Sequence, residues 1–162
     1  MNKLKIALIV LLGILSFSAC EKDDICIDND TPLLIVQFYS AVDSTLSKDV
    51  QNLVVKGIDG SELRDTIPNA ALDSIRLPLR VDRNTTSFTL SRQTSIDDIN
   101  IDTLTLSYEI KELFASRACG YIVNYAQLQA TIQPDDSVWV QRIIVDTALI
   151  ENSATTHVKI FH

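Results

Sequence analysis

Across 162 residues, 21 acidic side chains stand against 14 basic ones, a net charge of −7. With no basic block, this balance excludes a reader of nucleic acid and a protein docked electrostatically on anionic lipid. At 46% hydrophobic residues the chain is far from the composition of disorder, and it is long enough for one domain with its own core.

The first element is a leader. Lys3 and Lys5 precede an apolar run over 6–12 that continues past Gly13 to Phe17 and closes on Ser18 and Ala19. Residues 1–19 therefore read as a secretory signal peptide, too short to span a bilayer as a helix. Phe17-Ser18-Ala19-Cys20 resembles a bacterial lipobox, in which small residues let a peptidase cut just before the cysteine. On that resemblance Cys20 becomes the first residue and carries lipid. Phe17 is bulkier than the usual Leu, and the alternative is a plain signal peptide cut after Ala19. Cleavage removes Lys3 and Lys5 and no acid, so lipid rather than charge must hold the mature chain at the membrane. Residues 20–31 follow as a lipidated, charged tether. Within it Glu21, Lys22, Asp23 and Asp24 resemble the surface export signal of Bacteroidota lipoproteins; the alternative is that these charges only keep the tether solvated. The expected location is the outer membrane, at the cell surface in preference to the periplasmic face.

Cys26 and Cys119 remain as an even pair in an exported, oxidising context. A disulfide between them would close a loop of about 90 residues and stabilise by roughly 4 kcal/mol in the chain-entropy model. Two buried free thiols are the rival reading. No histidine lies near Cys119 in the sequence and no CxxC occurs, so a nucleophile or metal ligand has no support there.

From residue 32 to 162 the apolar period is two rather than 3.6. Strands are expected over 32–39, 52–58, 72–81, 86–91, 102–110, 121–132, 138–150 and 156–161, with turn signals such as Asp59-Gly60 and Pro134-Asp135-Asp136 between them. In the third, Ile75, Leu77, Leu79 and Val81 alternate with Arg76, Pro78 and Arg80, and the proline marks an edge. In the fifth, Leu104, Leu106, Tyr108 and Ile110 form one face and Thr103, Thr105, Ser107 and Glu109 the other. The one stretch with room for a helical turn is 110–118. About eight short strands without helices between them predict a single all-β domain over 32–162, an antiparallel β-sandwich of immunoglobulin-like or related Greek-key type. A small β-barrel is the alternative, disfavoured by only four glycines.

The search for chemistry returns no GxSxG, HExxH, P-loop or dinucleotide fingerprint, hence no cofactor and no enzyme. The carboxylates of DDICIDND and SIDDINID lack the order of an EF-type calcium loop and read as a solvated tether and a polar turn. His157 and His162, five apart, fall on opposite faces of a strand, which leaves His157 as a hydrogen-bonded structural residue. Trp139 lies in an apolar strand and reads as core, with a platform for a sugar as the alternative. A recurring triplet, Asp followed by Ser or Thr and then a small or apolar residue or Thr, falls on Ser44, Thr66, Ser74, Thr103, Ser137 and Thr147. It resembles the O-glycosylation signal of exported Bacteroidota proteins, and Asp ending a turn before a strand would produce the same triplets.

CEKDDIC, TPLLIVQFY, RACGY and HVKIFH together resemble a family of small lipoproteins from Bacteroidota, domain of unknown function 6452. The resemblance spans the mature chain and implies location and fold, with no catalytic or ligand residue to carry over. The function expected is a non-enzymatic envelope module that presents a face or its loops to a protein partner. A periplasm-facing structural or assembly accessory of the outer membrane and a glycan-binding module are the alternatives.

Overall fold

The computed structural model of the protein describes residues 31–95, 98–133 and 137–162. Among them nine strands form: β1 (Leu34–Tyr39), β2 (Val50–Asp59), β3 (Glu62–Leu72), β4 (Ser74–Leu77), β5 (Thr85–Ser95), β6 (Asp98–Ser116), β7 (Gly120–Gln133), β8 (Arg142–Val145) and β9 (Val158–Phe161). They make two separate sheets, β4-β1-β9-β8 and β3-β2-β5-β6-β7. The architecture is thus an all-β sandwich and not a closed barrel. Alternation does the work: Leu34, Val36 and Phe38 of β1 face Leu104 and Leu106 of β6 and their neighbours in one buried core, while intervening residues stay partly exposed.

Two bulges keep this alternation in phase. Asn52 and Gln127 have positive φ, 49° and 53°, and each lies where the register with the neighbouring strand shifts. An inserted residue flips the following side chains to the other face. Val50 and Leu53, three apart, both point inward for this reason, as do Tyr125 and Leu128. At the β2–β3 turn, Asp59 pairs with Glu62, and Gly60 takes a φ of 67°, as the first central position of a two-residue hairpin demands.

Several expectations are corrected. β3 is a ninth strand, hidden because its sequence, ELRDTIPNAAL, barely alternates; Pro68 fits there because β3 is an edge. The strand expected over 72–81 stops at Leu77, before Pro78, and Val81 is 54% exposed; β4 is indeed an edge strand. The strand expected over 138–150 is only the four residues of β8. The stretch 110–118 is no helical turn, since β6 runs on to Ser116. Nor is the sandwich wholly antiparallel: β1 lies parallel to β9, Val36 beside Val158 and Tyr39 beside Phe161. Parallel neighbours require a long crossover, and here the rest of the domain supplies it.

The register also orients the molecule. β1 starts at Leu34, beside Leu77 at the close of β4. From there the link to β5 begins, tied by the Arg80 N–H donating to Thr86 Oγ1 at 3.0 Å. The start of β1, the β2–β3 turn and the start of β5 therefore share one end of the sandwich, the near end. β5 leaves β6 at the pair Thr85–Ser107, but β6 and β7 stay paired from Glu109–Ala126 to Ser116–Gly120. This two-stranded arm projects from the near end. The loop 40–49 leads into Val50 at the far end.

Candidate functional site

The outer face of the five-stranded sheet is one of two candidate surfaces. Pairing sets Gln93 beside Ile99, Ser91 beside Ile101 and Thr89 beside Thr103, with Val54 and Lys56 of β2 across from Ser91 and Thr89. The outward positions are thus mostly apolar or hydroxylated, and Lys56 is the charge among these. Leu63, Ile99 and Ile101 are each about half exposed, at 55%, 57% and 49%. Together with Val54 they border a shallow depression of about 320 Å³. Sparsely charged, partly apolar surface of this kind suits contact with another macromolecule.

At the near end a second cavity, of about 370 Å³, has Phe88 and Gly57 for a floor and Arg64, Arg80 and Thr86 in its wall. Arg80 is held from both sides. Its backbone N–H donates to Thr86 Oγ1, its carbonyl accepts Tyr108 OH at 2.9 Å, and Tyr108 and Thr86 hydroxyls are 2.6 Å apart. Its guanidinium forks onto Asp82 through Nε and Nη2, at 2.8 and 2.7 Å, and reaches Asp59 through Nη1 at 2.7 Å. That contact holds the Asp82 carboxyl down to about 2. Arg64 and Arg83 lie 3.5 and 3.8 Å from Asp59. The rim is therefore a lattice of opposite charges.

Tyr125 donates to the carbonyl of Leu79 at 3.2 Å and meets Tyr108 edge to face; burial, with the neighbouring Tyr108 adding to it, pushes its hydroxyl up to about 12. The histidines flank β9. His157 is fully buried and bonds to β1 through Nδ1, the structural role expected of it. His162 packs edge-on against Phe38 and Trp139. Trp139 is itself buried and donates from Nε1 to the Leu90 carbonyl at 3.1 Å, so its ring is not open to a sugar. Asp102 in SIDDINID is no turn residue: fully buried, it accepts the N–H groups of Trp139 and Val140 on Oδ2, at 3.1 and 2.8 Å.

Of the residues singled out from the sequence, Cys20, Glu21, Lys22, Asp23, Asp24 and Cys26 lie outside the described residues. Cys119 sits in the turn at the tip of the β6–β7 arm, half-buried, its N–H donating to Ser116 Oγ at 3.0 Å. The six triplet hydroxyls are scattered. Ser44 is exposed in a turn closed by Asp43, which accepts both the N–H and the hydroxyl of Thr45. Ser74 opens β4 and donates to Asp73, and Ser137 receives the Asn100 amide. Thr66 and Thr103 lie within β3 and β6, where no turn precedes them, and Thr147 follows β8.

Sequence reasoning missed the arm's apolar tip. Phe114, 61% exposed, and Tyr121, 71% exposed, face each other across the two strands with ring centres 5.5 Å apart, and Leu113 is exposed on the opposite face. With both faces of 111–114 in solvent, no inside and outside existed there to print a period. No curated protein and no solved structure matches the chain. The match that is found spans residues 52–162, from the first bulge of β2 to the last histidine, and by it the chain belongs to the family of unknown function DUF6452.

Proposed function

We propose that this protein is a lipid-anchored, non-enzymatic interaction module of the cell envelope, held at Cys20 in the outer membrane and displayed at the cell surface. The observation that carries the reading is the polarity of the sandwich. β1 starts at the near end, so the tether over 20–31 joins the domain there, and the loop 40–49 lies at the far end. An anchor at Cys20 then turns the far end and the sparsely charged outer face of β2, β5 and β6 toward a partner. That partner is a protein, since a surface with few charges and exposed Ile99, Ile101 and Leu63 offers packing rather than ionic recognition. Glu21, Lys22, Asp23 and Asp24 act as the export signal.

Geometry also supports a Cys26–Cys119 bridge. Leu33 and Cys26 are seven residues apart, up to about 25 Å of extended chain, and the arm carries Cys119 outward from that same end by a similar distance. Both histidines are buried, which favours a binding module over an enzyme. Fractionation of a Cys20→Ser variant tests the anchor: it should move from the membrane pellet to the soluble fraction, and continued pelleting would overturn it. Protease added to intact cells tests the side. Wild type should be degraded, while a variant with Lys22, Asp23 and Asp24 changed to Ala should be protected; protection of the wild type until lysis would favour the periplasmic accessory.

A further inference from the structure

The β6–β7 arm has no counterpart inside the sandwich. Beyond Ser107, β6 has no β5 beside it, and the paired strands carry Leu113, Phe114 and Tyr121 into solvent. Large apolar side chains exposed together at the end of a projecting hairpin are costly unless something covers them. The residues from 113 to 121 include Arg117 and no acid, in a chain whose net charge is −7.

Reach identifies the cover. From Ser107 to Ser116 the arm runs about 30 Å past its last pair with β5, at roughly 3.3 Å per residue; its base at Tyr108, Ile110 and Tyr125 packs on the core, and residues 111–116, about 20 Å of strand, stand clear of it. From Thr31 back to Cys20 the tether is eleven residues, about 38 Å when fully extended. Both start from the near end. A bilayer holding lipid on Cys20 is therefore within reach of the arm's tip, which is the part of the near end that stands out farthest toward it. The far end, by contrast, lies a whole sandwich away.

We propose that Leu113, Phe114 and Tyr121 seat in the interfacial layer of the bilayer that holds the lipid anchor, so that the domain touches the membrane at two points and its orientation is set by the arm. A phenol and a phenyl ring stacked edge to face, with Arg117 beside them, match the chemistry of that layer, which takes aromatic rings at headgroup level and cations near phosphate. The inference rests on the lipid-anchor reading. With Cys26 bridged to Cys119, the lipid would sit within six residues of the tip.

The test uses the full lipidated protein reconstituted into phosphatidylcholine–phosphatidylglycerol vesicles whose acyl chains are brominated near the headgroup. Phe114→Trp and, separately, Tyr121→Trp place an indole at the tip, both at exposed positions that tolerate the ring. Val42→Trp, at a 99% exposed site in the far loop, is the control. Trp139, buried and bonded, supplies a background removed with the unsubstituted protein. The tip indoles should be strongly quenched, because aromatic rings at headgroup level lie beside the bromines, while the indole from Val42→Trp keeps its emission. Full emission from both tip variants in protein that floats with the vesicles would overturn the arm's role and leave the anchor standing. Failure of the unsubstituted protein to float would overturn the anchor and the arm together.

Discussion

His157 and Ile35 hold each other through two hydrogen bonds: the His157 backbone N–H donates to the Ile35 carbonyl at 3.0 Å, and Nδ1 of the ring accepts the Ile35 N–H, also at 3.0 Å. The imidazole thereby extends the parallel β1–β9 ladder by one rung, and it does so only while Nδ1 is unprotonated. Burial holds His157 below the ordinary histidine value of 6.5. As pH falls through that value, the unfolded chain takes up a proton that the folded one refuses, and stability is lost until the folded value is passed. Melting temperature should therefore drop on acidification from about 7 to about 5. His157→Gln keeps an acceptor without a titration and should flatten part of the drop; His162, also held low by burial, accounts for the remainder. A pH profile identical to wild type in His157→Gln would contradict this.

Asp102 is the second measurable point. Its Oδ2 satisfies two buried backbone donors, of Trp139 and Val140, and removing the acceptor strands both. Asp102→Ala should destabilise by about 2–4 kcal/mol in urea unfolding, and Asp102→Asn, which retains an acceptor oxygen, by less. Equal stability of Asp102→Ala and wild type would show the carboxylate to be dispensable.

Tyr108 closes the loop around Arg80 by bonding to Thr86 and the Arg80 carbonyl. Tyr108→Phe keeps the ring and its edge-to-face contact with Tyr125 but leaves that carbonyl without its donor, at a cost of about 1–2 kcal/mol. Thermal and urea unfolding would both read it.

A Cys26–Cys119 bridge predicts that Cys119→Ala lowers the melting temperature by about 10 °C, from roughly 4 kcal/mol at a few degrees per kcal/mol. Reductant should lower the wild type by a like amount and leave the variant unmoved. Labelling of both thiols in protein isolated without reductant would exclude the bridge.

Thr103 decides the triplets. It lies in mid-strand on the outer face, half-exposed, so a turn does not account for the Asp before it. If the triplets are signals, the Thr103 peptide from the native host should carry added mass, and Thr103→Val should remove it. Substituting Asp102 would not serve, because that side chain supports the core. A Thr103 peptide found wholly unmodified would count against the signal.

The sequence by itself determined the sandwich, because alternation is a local property: each strand that buries one face against the core writes a period of two into its own residues, as 102–110 does. It also singled out a structural His157 and a core Trp139, since isolated ring residues in apolar stretches have few other fates. What only tertiary structure decided concerns contacts between distant segments. Whether β1 lies parallel to β9 depends on where the chain's two ends meet, and no residue of either strand records it. The inward turn of both Tyr125 and Leu128 required the bulge at Gln127. Asp102 reads as part of a polar turn until the N–H groups of residues 139 and 140 arrive above it. The outgoing strand of the arm's tip was invisible for the opposite reason: exposed on both faces, residues 111–114 had no burial to impose a pattern, and only the pairing of β6 with β7, whose strand over 121–132 the sequence did show, reveals that 111–116 continues as strand.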